Sequence, residues 1–378
     1  MAKSHHIVFT TINHPTVLND LYQNISDSAY LDSVKVWVVG DYKTPKSCAE
    51  ISESITRKGM ETIYLDIESQ DKWGQKCPEF YRRIPYNNET RRNIGYLHAL
   101  EDNCKIMIAI DDDNFPTKDN FIGHHLQTGR QWQGDLIKEE AGFHNICEYL
   151  QIEPCRPVFP RGYPFRLRGV ANRPQIISTA KPVKIGVTAG LWLRDPDIDA
   201  TTWLNGKVSS TAYVGKNLQV LEQQTWTPIN TQNTSVAGEL IPAFLCVPMG
   251  WPVPGGKIQR FGDIWGGYFL QSLIQNSDYH VAFGLPIVEH RRNPHDYVDD
   301  LRFEYWGMIL TDWFVEALRN QFKPTESKIV DRVYELADFI KSYAIPHMPS
   351  WCPVEIKNFM QWTADNLAAW ADACRMFL

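Results

Sequence analysis

The amino-acid sequence predicts an α/β fold, a mostly parallel sheet with helices on both faces, followed by a C-terminal helical extension. Three observations carry that expectation. Short apolar runs alternate with helical patterns from His6 to Ile110, the spacing of strand–helix–strand units. One run, Ile106 to Ile110, is apolar throughout and passes without a break into Asp111, Asp112 and Asp113. A central parallel strand reads this way, and ligands gather at the carboxyl ends of such strands. Residues 327–377 repeat apolar side chains at helical spacing.

In chain order, His6 to Thr11 (HIVFTT) reads as the first strand and Thr16 to Ile25 as the helix after it. Val34 to Val39 (VKVWVV) reads as a second strand ending in Gly40 and Asp41, and Thr62 to Leu65 as a third, followed by a polar loop rich in Gln, Lys, Pro and Tyr. Asn88 can cap a helix that runs to about Asp102 and sets Ile94, Leu97 and Leu100 on one face. Beyond Phe115 the pattern loosens: Pro154, Pro157, Pro160, Pro164 and Pro174 fall in one stretch, and residues 185–260 are rich in Gly, Pro and Trp. Loops of that length are functional or disordered, and aromatic content favours function. The tail carries two helical stretches, one with Ile329, Val333, Leu336 and Ile340, the other with Phe359, Trp362, Leu367 and Trp370. The expected division is a catalytic domain over residues 1–315 and a helical extension over 316–378 that packs on the domain or on a partner.

Composition bounds the rest. The 378 residues are 43% apolar and 12% aromatic, enough for a large core. A net charge of −6 and a pI near 6.0 carry no general basic field, which argues against non-specific nucleic-acid binding. Eight cysteines without a CxxC pair suggest neither a zinc ribbon nor a disulfide framework, and read as reduced, mostly buried thiols. The N-terminus enters a strand pattern too early for a signal peptide, and no apolar run reaches membrane-spanning length. A cytoplasmic protein with no membrane span is expected, a homo-oligomer being one option.

The three adjacent carboxylates need a reason. Two carboxylates about 4 Å apart repel by roughly 1 kcal/mol in water and about 4 kcal/mol at an effective dielectric of 20. A hard divalent cation removes that cost, and oxygen ligands suit Mg²⁺ or Mn²⁺; a helix N-cap with solvated acids is the ordinary alternative. Thr10, Thr11, Asn13 and Asp41 share the same sheet edge. Asp41 can accept a uracil N3–H or be a turn residue. Arg91 and Arg92 open a helix, where guanidinium forks and free N–H groups attract a diphosphate; surface solubility is the alternative. The three arginines of RGYPFRLR, Arg161 to Arg168, are costly to bury without anions. In RFGDIWGGY, Asp263 sits among glycines that let backbone approach a ligand, with Trp265 offering a stacking face; Asp263 serves as base, sugar binder or N-cap. In VEHRRNPH, His290 can supply a nitrogen to the same metal, and Arg291 and Arg292 can neutralise phosphate, although a lone histidine is more often not a ligand.

Taken together, FTTIN, VVGD, RRNIGYL, IAIDDDNF, FPRGYPFRLR, TAGLWLRDPDIDA, VPMG, FGDIWGGY and GLPIVEHRRNP resemble the reversibly glycosylated polypeptides and UDP-arabinopyranose mutases, glycosyltransferase family 75, over residues 6–310. The resemblance implies a GT-A fold that binds a UDP-sugar through Mn²⁺ or Mg²⁺. By motif position it implies metal and ribose contacts at Asp111, Asp112 and Asp113 and a uracil contact at Asp41, and makes Arg92 the arginine of the family's RNFGY-like block. It also makes Arg161 the arginine before GYPF that the family glycosylates reversibly, Asp263 the second acid of a DDMWAG-like block, and His290 the family's histidine. Gly262 replaces the first acid of that block, the loop after Met249 departs from the family pattern, and the tail has no clear counterpart. The expected activity is metal-dependent glycosyl transfer from a UDP-sugar to an unidentified acceptor, with Asp263 and Arg161 as catalytic residues. Pyranose–furanose mutation is the alternative; a non-catalytic sugar-nucleotide binding subunit and phosphoryl transfer at the acids complete the set.

Overall fold

The computed structural model describes residues 3–170 and 172–378. Four parallel strands open the fold: β1 (His5–Thr10), β2 (Val34–Val39), β3 (Glu61–Leu65) and β4 (Ile106–Ile110). They lie in the order β4-β1-β2-β3, with His5 opposite both Val34 and Ile106. All five residues of β4 are buried, as its unbroken apolar run requires.

The main path continues through β5 (Val183–Arg194), β6 (Leu218–Val220), β7 (Asn233–Ala237) and β8 (Tyr279–His290), ordered β6-β8-β5-β7-β4. β7 runs antiparallel to both β4 and β5, so β5 again points the way β4 does, and β8 is parallel to β5. The mostly parallel sheet expected from the sequence is therefore present, interrupted by one inserted strand and edged by antiparallel β6. Its consequence is positional. The carboxyl ends of β1, β2, β4, β5 and β8 share one edge, which brings Thr11, Asp41, Asp111, Asp195 and Arg292 to the same end of the molecule.

Two expectations change. The polar stretch after Leu65 is helical over Ile67–Gly74 and Pro78–Tyr81, the first held by the Asp66 side chain accepting from the Ser69 N–H at 2.8 Å. The Gly- and Trp-rich stretch from 185 onward is not loop at its start: β5 is twelve residues long with eight buried in succession. Asn88 caps as expected, accepting from the Thr90 N–H at 3.0 Å and leading through a 3₁₀ turn into the helix Arg92–Glu101.

The C-terminal helices Tyr297–Asn320, Ile329–Phe339 and Val354–Arg375 pack on the helices that flank the sheet, Gly262–Leu273 and Arg92–Glu101 among them, and share a continuous apolar core with the strands. Trp370 is fully buried and donates its Nε1–H to the Pro242 carbonyl at 2.7 Å, while Phe359 packs on the Trp265 ring with centroids 5.6 Å apart. Truncating such an aromatic to alanine costs about 3–5 kcal/mol. Seven of the eight cysteines are buried and all are free. No helix among the described residues is long and apolar enough to cross a membrane.

Candidate active site

Two adjoining cavities open at the shared carboxyl edge, of about 320 and 390 Å³. Asn87, Asn88, Glu89, Arg92, Asp111 and Asp113 line both. The first cavity extends over Thr10, Thr11, Asn13, Asp41 and Asp112, the second over Arg161, Asp197, Asp263, Arg260, His290 and Arg292. Of the residues that the sequence marks as site candidates, Arg166, Arg168, Trp265 and Arg291 line neither cavity, and the others line one or both.

In the first cavity, Thr11 donates its hydroxyl to Asp112 Oδ2 at 2.5 Å, and Asn13 Nδ2 approaches the same oxygen at 3.3 Å. Burial pushes the Asp112 carboxyl above its ordinary range, and these hydrogen bonds pull it part of the way back. Asp41 accepts from the backbone N–H groups of Tyr42 at 2.8 Å and Asn88 at 3.3 Å, which fixes its carboxylate at the cavity wall.

At the junction the arginines divide. Arg92 donates to Asp111 Oδ1 at 2.6 Å, to Thr231 Oγ1 at 2.6 Å and to the Glu89 carbonyl at 3.1 Å. Burial raises the Asp111 carboxyl, opposed by that guanidinium. Arg91 does not present its fork to a diphosphate as expected. It is wholly buried, donates to Gln70 Oε1 through Nε at 2.8 Å and to the Tyr81 hydroxyl at 2.9 Å, and stacks on Tyr86 at 4.4 Å. Gln70 and Tyr81 belong to the two helices Ile67–Gly74 and Pro78–Tyr81, and Tyr86 to the bend that follows them.

Asp113 and His290 face each other, Oδ2 to Nε2 at 3.5 Å. His290 Nδ1 donates to the Asp195 carbonyl at 2.6 Å, which leaves Nε2 to face Asp113 and the cavity. A carbonyl that accepts from one ring nitrogen fixes the imidazole's orientation and leaves the other nitrogen a lone pair for a metal. Among the described residues no three His, Cys, Asp or Glu side chains are already gathered as a metal cluster. The Asp113–His290 pair nevertheless fits a cation that completes its shell with water and phosphate: adjacent ligands at about 2.1 Å lie about 3 Å apart in an octahedron. Asp111, turned to Arg92, is less available to such an ion than the sequence reading supposed.

The second cavity is built around Arg161, and all five of its N–H donors are occupied. Nε and Nη2 donate to Asp197, both at 3.0 Å; Nη2 and Nη1 donate to Asp263 at 2.7 and 3.0 Å; Nη1 also donates to the Arg260 carbonyl. Asp197, 2% exposed, accepts in addition from Asn230 Nδ2 at 2.7 Å. Burial alone raises its pKa, but Arg161 outweighs burial and holds the carboxyl well below the usual range. Arg260 sits at φ +64°, a left-handed conformation uncommon outside glycine, and is held by Glu304 at 2.9 Å. Arg292 has the opposite character. Its side chain is 6% exposed, it reaches Asp300 at 3.3 Å, and its Nε is buried without a partner.

Two other expectations are corrected here. The arginines of RGYPFRLR are paired with the protein's own carboxylates, Arg161 with Asp197 and Asp263, Arg166 with Glu316 and Arg168 with Asp199, so no ligand anion is needed to explain them. Trp265 offers no stacking face to a sugar, being buried against Phe314 and Phe359. A Cβ at Gly266 or Gly267 would stand 2.1 Å from the Leu245 carbonyl oxygen or 2.2 Å from that of Ile229, so these glycines admit neighbouring backbone rather than a ligand. Sequence reasoning also missed Asp197, Asn230, Glu304 and Asp300. RDPDIDA was the available signal for the first; nothing in the polar run around Asn230 or in the amphipathic helix Tyr297–Asn320 marks the others.

Comparison with known proteins identifies relatives of this chain. A family model described as reversibly glycosylated polypeptide matches residues 65–372. UDP-arabinopyranose mutase 1 of Arabidopsis thaliana is 28% identical over 295 residues, 77% of this chain and 73% of that protein. UDP-arabinopyranose mutase 2 of the same plant is 29% identical over 68% of this chain and 66% of its own length. Among solved structures, glucosyl-3-phosphoglycerate synthase from Mycobacterium tuberculosis, in complex with Mn²⁺ and UDP-glucose, aligns at a TM-score of 0.36 and 10% identity, covering 82% of this chain and 79% of that one. S. aureus TarS 1-349 in complex with UDP-GlcNAc aligns at 0.39 and 9%, covering 98% and 90%.

Proposed function

The chain belongs to the family of reversibly glycosylated polypeptides, and on that premise we propose that it is an enzyme that interconverts the pyranose and furanose forms of a UDP-sugar in a divalent-metal-dependent reaction. The observation that carries the proposal is the pair of adjoining cavities joined at Asp111 and Asp113. The first has the dimensions and polar groups for a nucleoside, the second those for a sugar. In this reading Asp41 reads the uracil edge, Thr10, Thr11, Asn13 and Asp112 hold the ribose, and Arg92 keeps Asp111 in place behind the diphosphate.

Asp113 and His290 would hold Mn²⁺ or Mg²⁺, which when bound supplies positive charge to the diphosphate as the sugar–phosphate bond breaks. The chain's own residues do the rest. Arg292, whose Nε has no partner, donates to the departing phosphate. Asp197 and Asp263 fix Arg161 at the sugar end. With UDP retained, the sugar's 4-hydroxyl oxygen bonds to the anomeric carbon as the C1–O5 bond breaks, its proton passes to O5, and the β-phosphate oxygen re-forms its bond to C1. All residues lining the two cavities precede residue 296, which supports placing the chemistry within residues 1–315, although the helix Tyr297–Asn320 runs unbroken through that boundary into the extension 316–378.

Glycosyl transfer to a separate acceptor is the second reading. Asp263, the base first expected for it, is held by two N–H groups of Arg161. Glu89, exposed at the shared rim and without a side-chain partner among the described residues, is the carboxylate open to that role. NMR of the protein with Mn²⁺ and a panel of UDP-sugars, UDP-arabinose included, decides between them: ring-form interconversion without net UDP is expected, and stoichiometric UDP release with no change of ring form would sink the mutase reading.

A further inference from the structure

Arg161 is an arginine with nothing left to donate. Two carboxylates and a backbone carbonyl take its five N–H groups, and two carboxylates against one guanidinium leave the group with a formal charge of −1. A phosphate is repelled by such a group and finds no N–H in it. The positive partner for phosphate in the same cavity is Arg292, with its buried unpartnered Nε. The two groups adjoin in the cavity: donors for an anion at Arg292, and beside them the Arg161 group with one more carboxylate than guanidinium.

We infer that Asp197, Arg161 and Asp263 together form the counter-charge for a cationic sugar, with Asp263 as the member that faces it and Asp197 as the residue that positions the pair. The assignment rests on the cavity's being a UDP-sugar site. Heterolysis of the anomeric C–O bond sends the electron pair to the phosphate oxygen and leaves positive charge shared between the anomeric carbon and the ring oxygen. Fixed negative charge beside that carbon stabilises the cation and does little for the neutral ground state. The exposures fit these roles, Asp263 being 13% exposed at its side chain and Asp197 2%. Asp197 acts through Arg161: it occupies the Nε edge, which obliges the guanidinium to turn its Nη1–Nη2 end to Asp263 and fixes where that carboxylate points. Asn230 donates to Asp197 Oδ2, the oxygen that also accepts from Arg161 Nη2, and completes the support.

The test reads charge preference, which a merely structural ion network would not confer. A pyrrolidine iminosugar, protonated at neutral pH, is titrated by calorimetry into the Mn²⁺-loaded protein with and without UDP, beside its neutral tetrahydrofuran counterpart. The wild type should bind the cation at least tenfold more tightly than the neutral ring. Asp263→Asn and Asp197→Asn should each lose most of that preference with UDP affinity within about twofold of wild type, and Asp197→Glu, which keeps the charge, should retain part of it. A wild type indifferent to the charge, or a preference that survives Asp263→Asn, overturns the inference. Failure of UDP to bind would sink the donor-site reading instead, while the comparison made without UDP still decides this one.

Discussion

Replacing Arg161 by alanine strands two aspartates, one of them almost wholly buried. Asp197 loses both N–H donors at 3.0 Å and keeps only Asn230, and Asp263 loses donors at 2.7 and 3.0 Å. Removing one partner of a buried ion pair costs about 3–5 kcal/mol, chiefly because the charge left behind is uncompensated. For 378 residues an unfolding entropy of about 2.1 cal/mol/K per residue amounts to about 0.8 kcal/mol/K, so the midpoint should fall by about 4–6 °C. Scanning calorimetry at one fixed rate reads that shift. The double variant Arg161→Ala with Asp197→Asn removes the stranded charge and should recover part of the loss, the sign of coupling expected for residues in contact. A fall of less than about 1 °C in the single variant, or a double variant no more stable than the single, would refute the reasoning.

Further outcomes can be checked alongside. Because Arg161 holds the Asp197 carboxyl below its ordinary value of about 4, the folded state binds fewer protons there than the unfolded chain; the stabilisation is full above that value and is lost as pH falls through the lower folded one. Asp197→Asn should therefore flatten the acid limb of the stability–pH curve, and an unchanged limb counts against the pairing. Thr11→Val removes the 2.5 Å bond to Asp112 and should weaken UDP binding about tenfold by titration calorimetry, about 1.4 kcal/mol. His290→Ala should abolish most of the Mn²⁺-dependent gain in UDP affinity and leave metal-free affinity nearly unchanged; a metal response equal to wild type would remove His290 from the ion's shell. Gly238→Ala would set a Cβ 1.9 Å from the Cys104 carbonyl oxygen, a backbone atom that cannot step aside, and should cost more than about 3 kcal/mol in chemical denaturation.

What the sequence made legible follows the physics of burial. β1, β2 and β4 are apolar runs because both of their faces are covered, and a run of that kind announces itself. β7 does not: Asn233, Thr234 and Ser235 are buried polar residues, and Ser235 is satisfied by the Thr128 hydroxyl at 2.8 Å, a partner distant in the chain. The helix Ile67–Gly74 is polar on its exposed side and was hidden for that reason. In the site, the three adjacent acids and the histidine after β8 were readable from type and position alone. Arg91 was not, because Gln70 and Tyr81, which take its Nε–H and Nη2–H donors, lie on two helices that carry no apolar periodicity. Asp197 stood in a block quoted for its family likeness, yet its role depends on which guanidinium it meets, and that contact spans 36 positions along the chain.

The central claim is that the anomeric C–O bond of a UDP-sugar breaks while UDP stays in place. Positional isotope exchange tests it most directly: UDP-arabinose labelled with ¹⁸O at the sugar–phosphate bridge is incubated with the Mn²⁺-loaded protein, and the label is followed by ³¹P NMR in the recovered substrate. The account predicts migration of the label to non-bridging β-phosphate positions, no slower than ring-form interconversion and without accumulation of free UDP. Ring interconversion with the label still wholly in the bridge, or steady release of UDP with no migration, would contradict it.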